Sequence, residues 1–145
     1  MKKCLLIILV GGLSILLLTT VSCKKKTKDP DYPQLIGTWS GTTSQACPVM
    51  LSVQNFDGEL RITSVAMSYS FGPGSWDTIH SSNSDGLTAL SGTVFKYYFD
   101  NSPPVVSFIG GTFRTDTLEL NGNFQLTQVD NPGNQVSGTY TAYKH

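Results

Sequence analysis

The 145 residues are formally neutral, with ten basic and ten acidic side chains, but the charge is unevenly spread. Six lysines precede residue 30, while the 114 residues from Tyr32 onward carry four basic side chains (Arg61, Lys96, Arg114, Lys144) against eight acidic ones, a net −4. A body of that length holds one domain, and its acidity and lack of a basic stripe argue against phosphate-backbone binding, so nucleic acid is not an expected partner.

In chain order, Lys2 and Lys3 precede an uncharged run from Cys4 to Val21, the pattern of a secretory signal. The run approaches the roughly 20 residues of a spanning helix, so an uncleaved anchor is the competing reading. Thr20-Val21-Ser22-Cys23 resembles a bacterial lipobox. That resemblance implies that residues 1–22 are a removed lipoprotein signal peptide and that Cys23 is acylated and becomes the first residue of the mature chain. Residues 23–34 then form a charged linker, and Lys24, Lys25, Lys26 and Lys28 would lie against an anionic leaflet. The expected location is the cell envelope, lipid-anchored to the outer membrane and facing the periplasm.

From residue 35 to 145 no window carries a 3.6-residue apolar stripe, whereas Thr, Ser, Val and aromatics alternate between turn signals. Strands are predicted over 35–44, 48–56, 59–70, 75–80, 88–100, 105–114, 117–122, 124–130 and 135–144, and the short connections favour an all-β, antiparallel up-and-down barrel of about eight strands. Asp57-Gly58 predicts a two-residue hairpin turn that sets Val53 opposite Ile62, Asn55 opposite Leu60 and Gln54 opposite Arg61. Gly72-Pro73-Gly74, Ser84-Asp85-Gly86 and Ser102-Pro103-Pro104 mark further reversals. Asn121-Gly122-Asn123 is predicted as a three-residue loop pairing Leu120 with Phe124, and Asn131-Pro132-Gly133-Asn134 as a type II turn.

An apolar-x-Gly-Thr-apolar pattern begins at Leu35, Leu90, Ile109 and Val136, and it suits strands that bend at the glycine. In the first copy, Gly37-Thr38-Trp39 resembles the Gly-x-Trp signature of the calycin barrels: lipocalins, fatty-acid-binding proteins and avidin-like relatives. The resemblance implies a lipocalin-like domain in which Trp39 closes one barrel end beneath a cation of the last strand, the position Lys144 occupies, and it makes ligand binding an expectation.

Catalysis finds little to work with. His80 is the lone histidine before the terminal His145 and reads as a loop residue. No phosphate loop, calcium loop, Gly-x-Ser-x-Gly or Cys-x-x-Cys occurs, so no catalytic residue, metal or cofactor is expected. Once Cys4 leaves and Cys23 is acylated, Cys47 has no disulfide partner, and it reads as half-buried at the start of a strand. Tyr69, Phe71 and Trp76 surround a turn, while Phe95, Tyr97 and Phe99 share one strand face. These six either line a pocket or fill the core, because a barrel of about eight strands is only wide enough to be solid or to hold one small ligand. The expectation is therefore a membrane-anchored lipoprotein binding a small apolar or amphipathic molecule. The alternative is a non-enzymatic interaction module, an inhibitor or envelope-assembly partner, with a filled core.

Overall fold

A computed structural model describes residues 31–99 and 105–145. The signal, Cys23, most of the linker and the Ser102-Pro103-Pro104 reversal lie outside these residues. The chain enters through a 3₁₀ turn at Pro33–Leu35 and continues as β1 (Gly37–Thr43), β2 (Pro48–Phe56), β3 (Glu59–Gly72) and β4 (Ser75–Ser82). It continues through β5 (Thr88–Ala89), β6 (Val94–Phe99), β7 (Val105–Arg114), β8 (Glu119–Gln128) and β9 (Asn131–Lys144). All belong to one antiparallel sheet, ordered β4-β3-β2-β1-β9-β8-β7-β6, that curls into a half-barrel; β5 pairs with β3.

The up-and-down order follows from local chemistry. Asp57 and Gly58 take φ of +56° and +90°, which suits a two-residue turn matched to strand twist. The pairs Val53 with Ile62, Gln54 with Arg61 and Asn55 with Leu60 stand as expected. Beyond them the register slips, so that Thr63 is an extra residue between Ser52–Ser64 and Val53–Ile62. Such a bulge bends the strand and sharpens its twist, which helps the sheet to curl.

Closure is where the chain departs from a fully laddered cylinder. The first and last strands pair, Trp39 with Lys144 and Thr43 with Tyr140. Among the described residues, however, no backbone ladder joins β4 to β6. β5 prolongs the line of β4 along β3, pairing Ile62 with Thr88 where β4 has already ended at Ser64. The predicted strand 88–100 is accordingly split, because Ser91 and Val94 close a tight turn in which Gly92 has φ +64°. Side chains bridge the seam instead: Ser81 Oγ lies 2.7 Å from Tyr97 Oη, and Thr88 Oγ1 donates to the Lys96 carbonyl at 3.1 Å.

Two turn expectations are corrected. Asn121-Gly122-Asn123 is not a loop but the middle of β8, and the reversal before it falls at residues 115–118. Leu120, Gly122, Phe124 and Leu126 alternate along one strand, facing Ala142, Tyr140, Gly138 and Val136 of β9. A Cβ at Gly122 would overlap the Tyr140 ring and the Gly110 carbonyl oxygen, so the missing side chain serves packing rather than a positive φ. The last reversal lies at residues 129–130, and Pro132 to Asn134 form an irregularity between the Gln128–Asn131 and Thr127–Gln135 pairs.

The inward face is mainly apolar, with Thr43 among its few buried polar residues. Trp39, Leu51, Ile62, Val65, Ile109, Leu120 and Leu126 retain no exposed surface. Tyr140, Phe124 and Phe113 add interior aromatic bulk from three neighbouring strands.

Candidate functional site

The base of the half-barrel is built from both chain ends. Pro33 favours the 3₁₀ turn through its fixed φ, and Leu35 from that turn is fully buried. Its carbonyl accepts the Trp39 indole N–H at 3.0 Å, which allows a polar indole nitrogen to sit inside. Phe113 meets the Trp39 ring edge-on at 4.8 Å, and Phe95 lies 5.8 Å beyond Phe113. Gly37 adopts φ +137° with the Lys144 stem against it, so a side chain there would be strained. Lys144 pairs with Trp39 across β1 and β9. Its ammonium donates to the Gln34 carbonyl at 2.8 Å, and the cation–π pairs among the described residues belong to Arg61 and Lys96. The cation thus ties the last strand to the 3₁₀ turn that covers the base.

The six aromatic candidates separate into three places. Phe95, Tyr97 and Phe99 do alternate onto the inner face, opposite Gly111, Ile109 and Ser107 of β7. Phe95 packs at the base and Phe99 is buried, while Tyr97 is half-buried beside the seam and touches Phe99 edge-on at 5.0 Å. Tyr69 and Phe71 meet edge-on at 5.4 Å at the opposite end, with Tyr69 Oη donating to Asp77 Oδ2 at 3.3 Å. Trp76 does not join them. It sits on the outer wall of β4 and is 63% exposed, because strand alternation sends it outward between Ser75 and Asp77.

Sequence reasoning missed Tyr140, whose ring lies over Gly122 and Gly111 and whose hydroxyl donates to the Gly110 carbonyl at 3.2 Å. The signal was present as the period-two series Val136, Gly138, Tyr140, Ala142. The shared apolar-x-Gly-Thr pattern therefore hides different roles: Gly92 turns the chain, Gly111 sits under Tyr140, and Gly138 abuts Phe124.

Other chemistry-bearing residues are dispersed. His80 is an exposed strand residue paired with Ala66, not a loop histidine. Cys47 is buried, its backbone N–H donating to Thr43 Oγ1, and among the described residues no group of three or more His, Cys, Asp or Glu side chains converges. Among the described residues no helix is long and apolar enough to cross a membrane. Comparison with known family models, curated proteins and solved structures yields no match.

Burial pushes the Tyr140 phenol up, and burial together with the Asp77 charge pushes Tyr69 up to about 12. Both phenols are neutral in the fold, so their contribution is complete below the ordinary tyrosine value near 10 and is lost as pH rises through the folded values. Urea denaturation between about pH 9 and 12 is expected to show stability falling above about pH 10, with Tyr140→Phe making that fall shallower. A slope unchanged by Tyr140→Phe would contradict the assignment.

Proposed function

We propose that this chain is a lipid-anchored, non-enzymatic interaction module of the cell envelope, held to the outer membrane through Cys23 and acting through its outer wall and loops rather than carrying cargo inside. One observation carries the preference. Side chains lining a ligand cavity keep surface that water can touch, and a small-molecule cavity needs about 300 Å³ or more. The interior candidates Tyr69, Phe95 and Phe99 keep 2%, 3% and 4%, and Trp39 and Phe113 at the base keep 0% and 2%, while Phe71 and Tyr97 are half-buried. The buried residues behave as core.

The anchor rests on the lipobox-like stretch, and the lipocalin-like reading rests on the Gly37/Trp39/Lys144 base. Trp76, exposed after the Gly72–Gly74 turn, and the loop at residues 83–87 are the surface a protein partner would use. Metabolic labelling with a palmitate analogue is expected to mark the wild type and not Cys23→Ser. Crosslinking and capture from envelopes is expected to recover a partner that Trp76→Ala loses. Labelling that persists in Cys23→Ser, or recovery unaffected by Trp76→Ala and by substitution of loop 83–87, would refute the respective halves.

The second reading is a small amphipathic ligand admitted at the seam. It is favoured by Tyr97, inward-facing yet half-buried beside a β4–β6 boundary held by side chains, and by Phe71, likewise half-buried against the core. Displacement of a fluorescent fatty acid by envelope lipid extracts, abolished in Tyr97→Ala, is the result that would select it.

A further inference from the structure

On the outer wall, the register of β6, β7 and β8 places three rows side by side: Tyr98–Phe108–Gln125, Lys96–Gly110–Asn123 and Val94–Thr112–Asn121. Residues directly opposite in antiparallel strands share a face, so these rows form a tiled surface. Its central tile, Gly110, has no side chain. The result is an open depression of about 340 Å³ bounded by Val94, Lys96, Phe108, Thr112, Asn121 and Asn123. It shares no lining residue with Trp76 or loop 83–87, so the inference does not depend on the proposed partner surface.

The chemistry of this depression is selective. Lys96 Nζ lies 4.8 Å from the Tyr98 ring centroid and 4.6 Å from that of Phe108. Two aromatic rings thus hold an exposed ammonium in place, reducing the side-chain ordering that a ligand must impose. It is the sole charged side chain on the lining, in a body whose net charge is −4. Asn121 is fixed as a wall, accepting from Thr141 at 2.9 Å and donating to Glu119 at 2.7 Å. Asn123 and Thr112 make no side-chain hydrogen bond among the described residues, which leaves an amide with donors and an acceptor, and a hydroxyl, facing solvent. Tyr98 and Val94 add apolar surface, 57% and 46% exposed.

An amide and a hydroxyl suit a ring bearing several hydroxyl groups, the Phe108 and Val94 surfaces suit its C–H face, and one isolated cation suits one carboxylate. We propose that this depression binds a carboxylate-bearing saccharide, a uronic-acid-type ring. An acidic peptide fits less well, since it has no ring hydroxyls for Asn123 and Thr112.

Isothermal titration of the full chain in detergent with three probes tests this: hexagalacturonate, neutral maltohexaose and hexaglutamate. Hexagalacturonate is expected to bind about tenfold more tightly than maltohexaose, the scale of one charge-assisted contact, and several-fold more tightly than hexaglutamate, which lacks the ring hydroxyls. Lys96→Gln is expected to erase the preference over maltohexaose, and Asn123→Ala to weaken hexagalacturonate several-fold. Near-UV circular dichroism confirms that each variant retains the fold. Equal binding of hexaglutamate or maltohexaose, a preference that survives Lys96→Gln, or no binding of hexagalacturonate by folded protein overturns the proposal, whatever envelope capture with Trp76→Ala returns.

Discussion

Trp39→Ala is expected to lower the unfolding free energy by about 3–5 kcal/mol, the range for removing a large buried aromatic, as measured by urea denaturation followed through circular dichroism. Trp39 keeps no exposed surface, meets Phe113 at 4.8 Å and uses its N–H to hold the Leu35 carbonyl. Its loss opens a cavity at the base and leaves that carbonyl without its partner, so two costs add. The damage should extend to the chain entrance, because the same 3₁₀ turn accepts Lys144 through Gln34. Trp39→Phe keeps most of the apolar contact and loses the indole N–H, and should cost less. A Trp39→Ala change below about 1 kcal/mol, the level of an ordinary substitution, would mean that the base is not a structural keystone.

Gly122→Val is expected to be at least as damaging, costing about 4 kcal/mol or more, or leaving insoluble protein, because overpacking here cannot be relieved by moving one flexible tip. The neighbours of a new Cβ would be the Gly110 carbonyl oxygen, which is backbone of the next strand, and the Tyr140 ring, whose hydroxyl is tied to that same carbonyl. Relief would require parting β7, β8 and β9 together. Gly72→Ala is the matched control: nothing lies within 4 Å of the added methyl, and its expected effect is within about 0.5 kcal/mol. Thermal melts of the two variants beside the wild type separate a packing glycine from a tolerant one, and equal melting temperatures would contradict the assignment of Gly122.

The two variants also mark how far the chain could be read without coordinates. Alternation along β2, β3 and β6 was sufficient to predict the inner face, including Val53 opposite Ile62 across the Asp57-Gly58 turn and the inward set Phe95, Tyr97 and Phe99. Those features depend on period-two geometry and on turn dihedrals, which are properties of a few consecutive residues.

Asn121-Gly122-Asn123 could not be read this way. A glycine between asparagines satisfies a turn that needs positive φ and equally a strand crossed by an aromatic ring. The deciding partner, Tyr140, is 18 positions further on and arrives only when β8 and β9 pair. The seam was hidden for the same reason. Whether β4 and β6 ladder, or meet through Ser81 and Tyr97, depends on how far the whole sheet has twisted by its last strand. Composition and alternation by themselves determined an acidic, all-β body with one aromatic inward face. Only the tertiary structure decided what fills that face, which glycines turn and which accommodate a ring, and where Lys96 and Lys144 point, because each of these depends on side chains that the sheet brings together from distant parts of the chain.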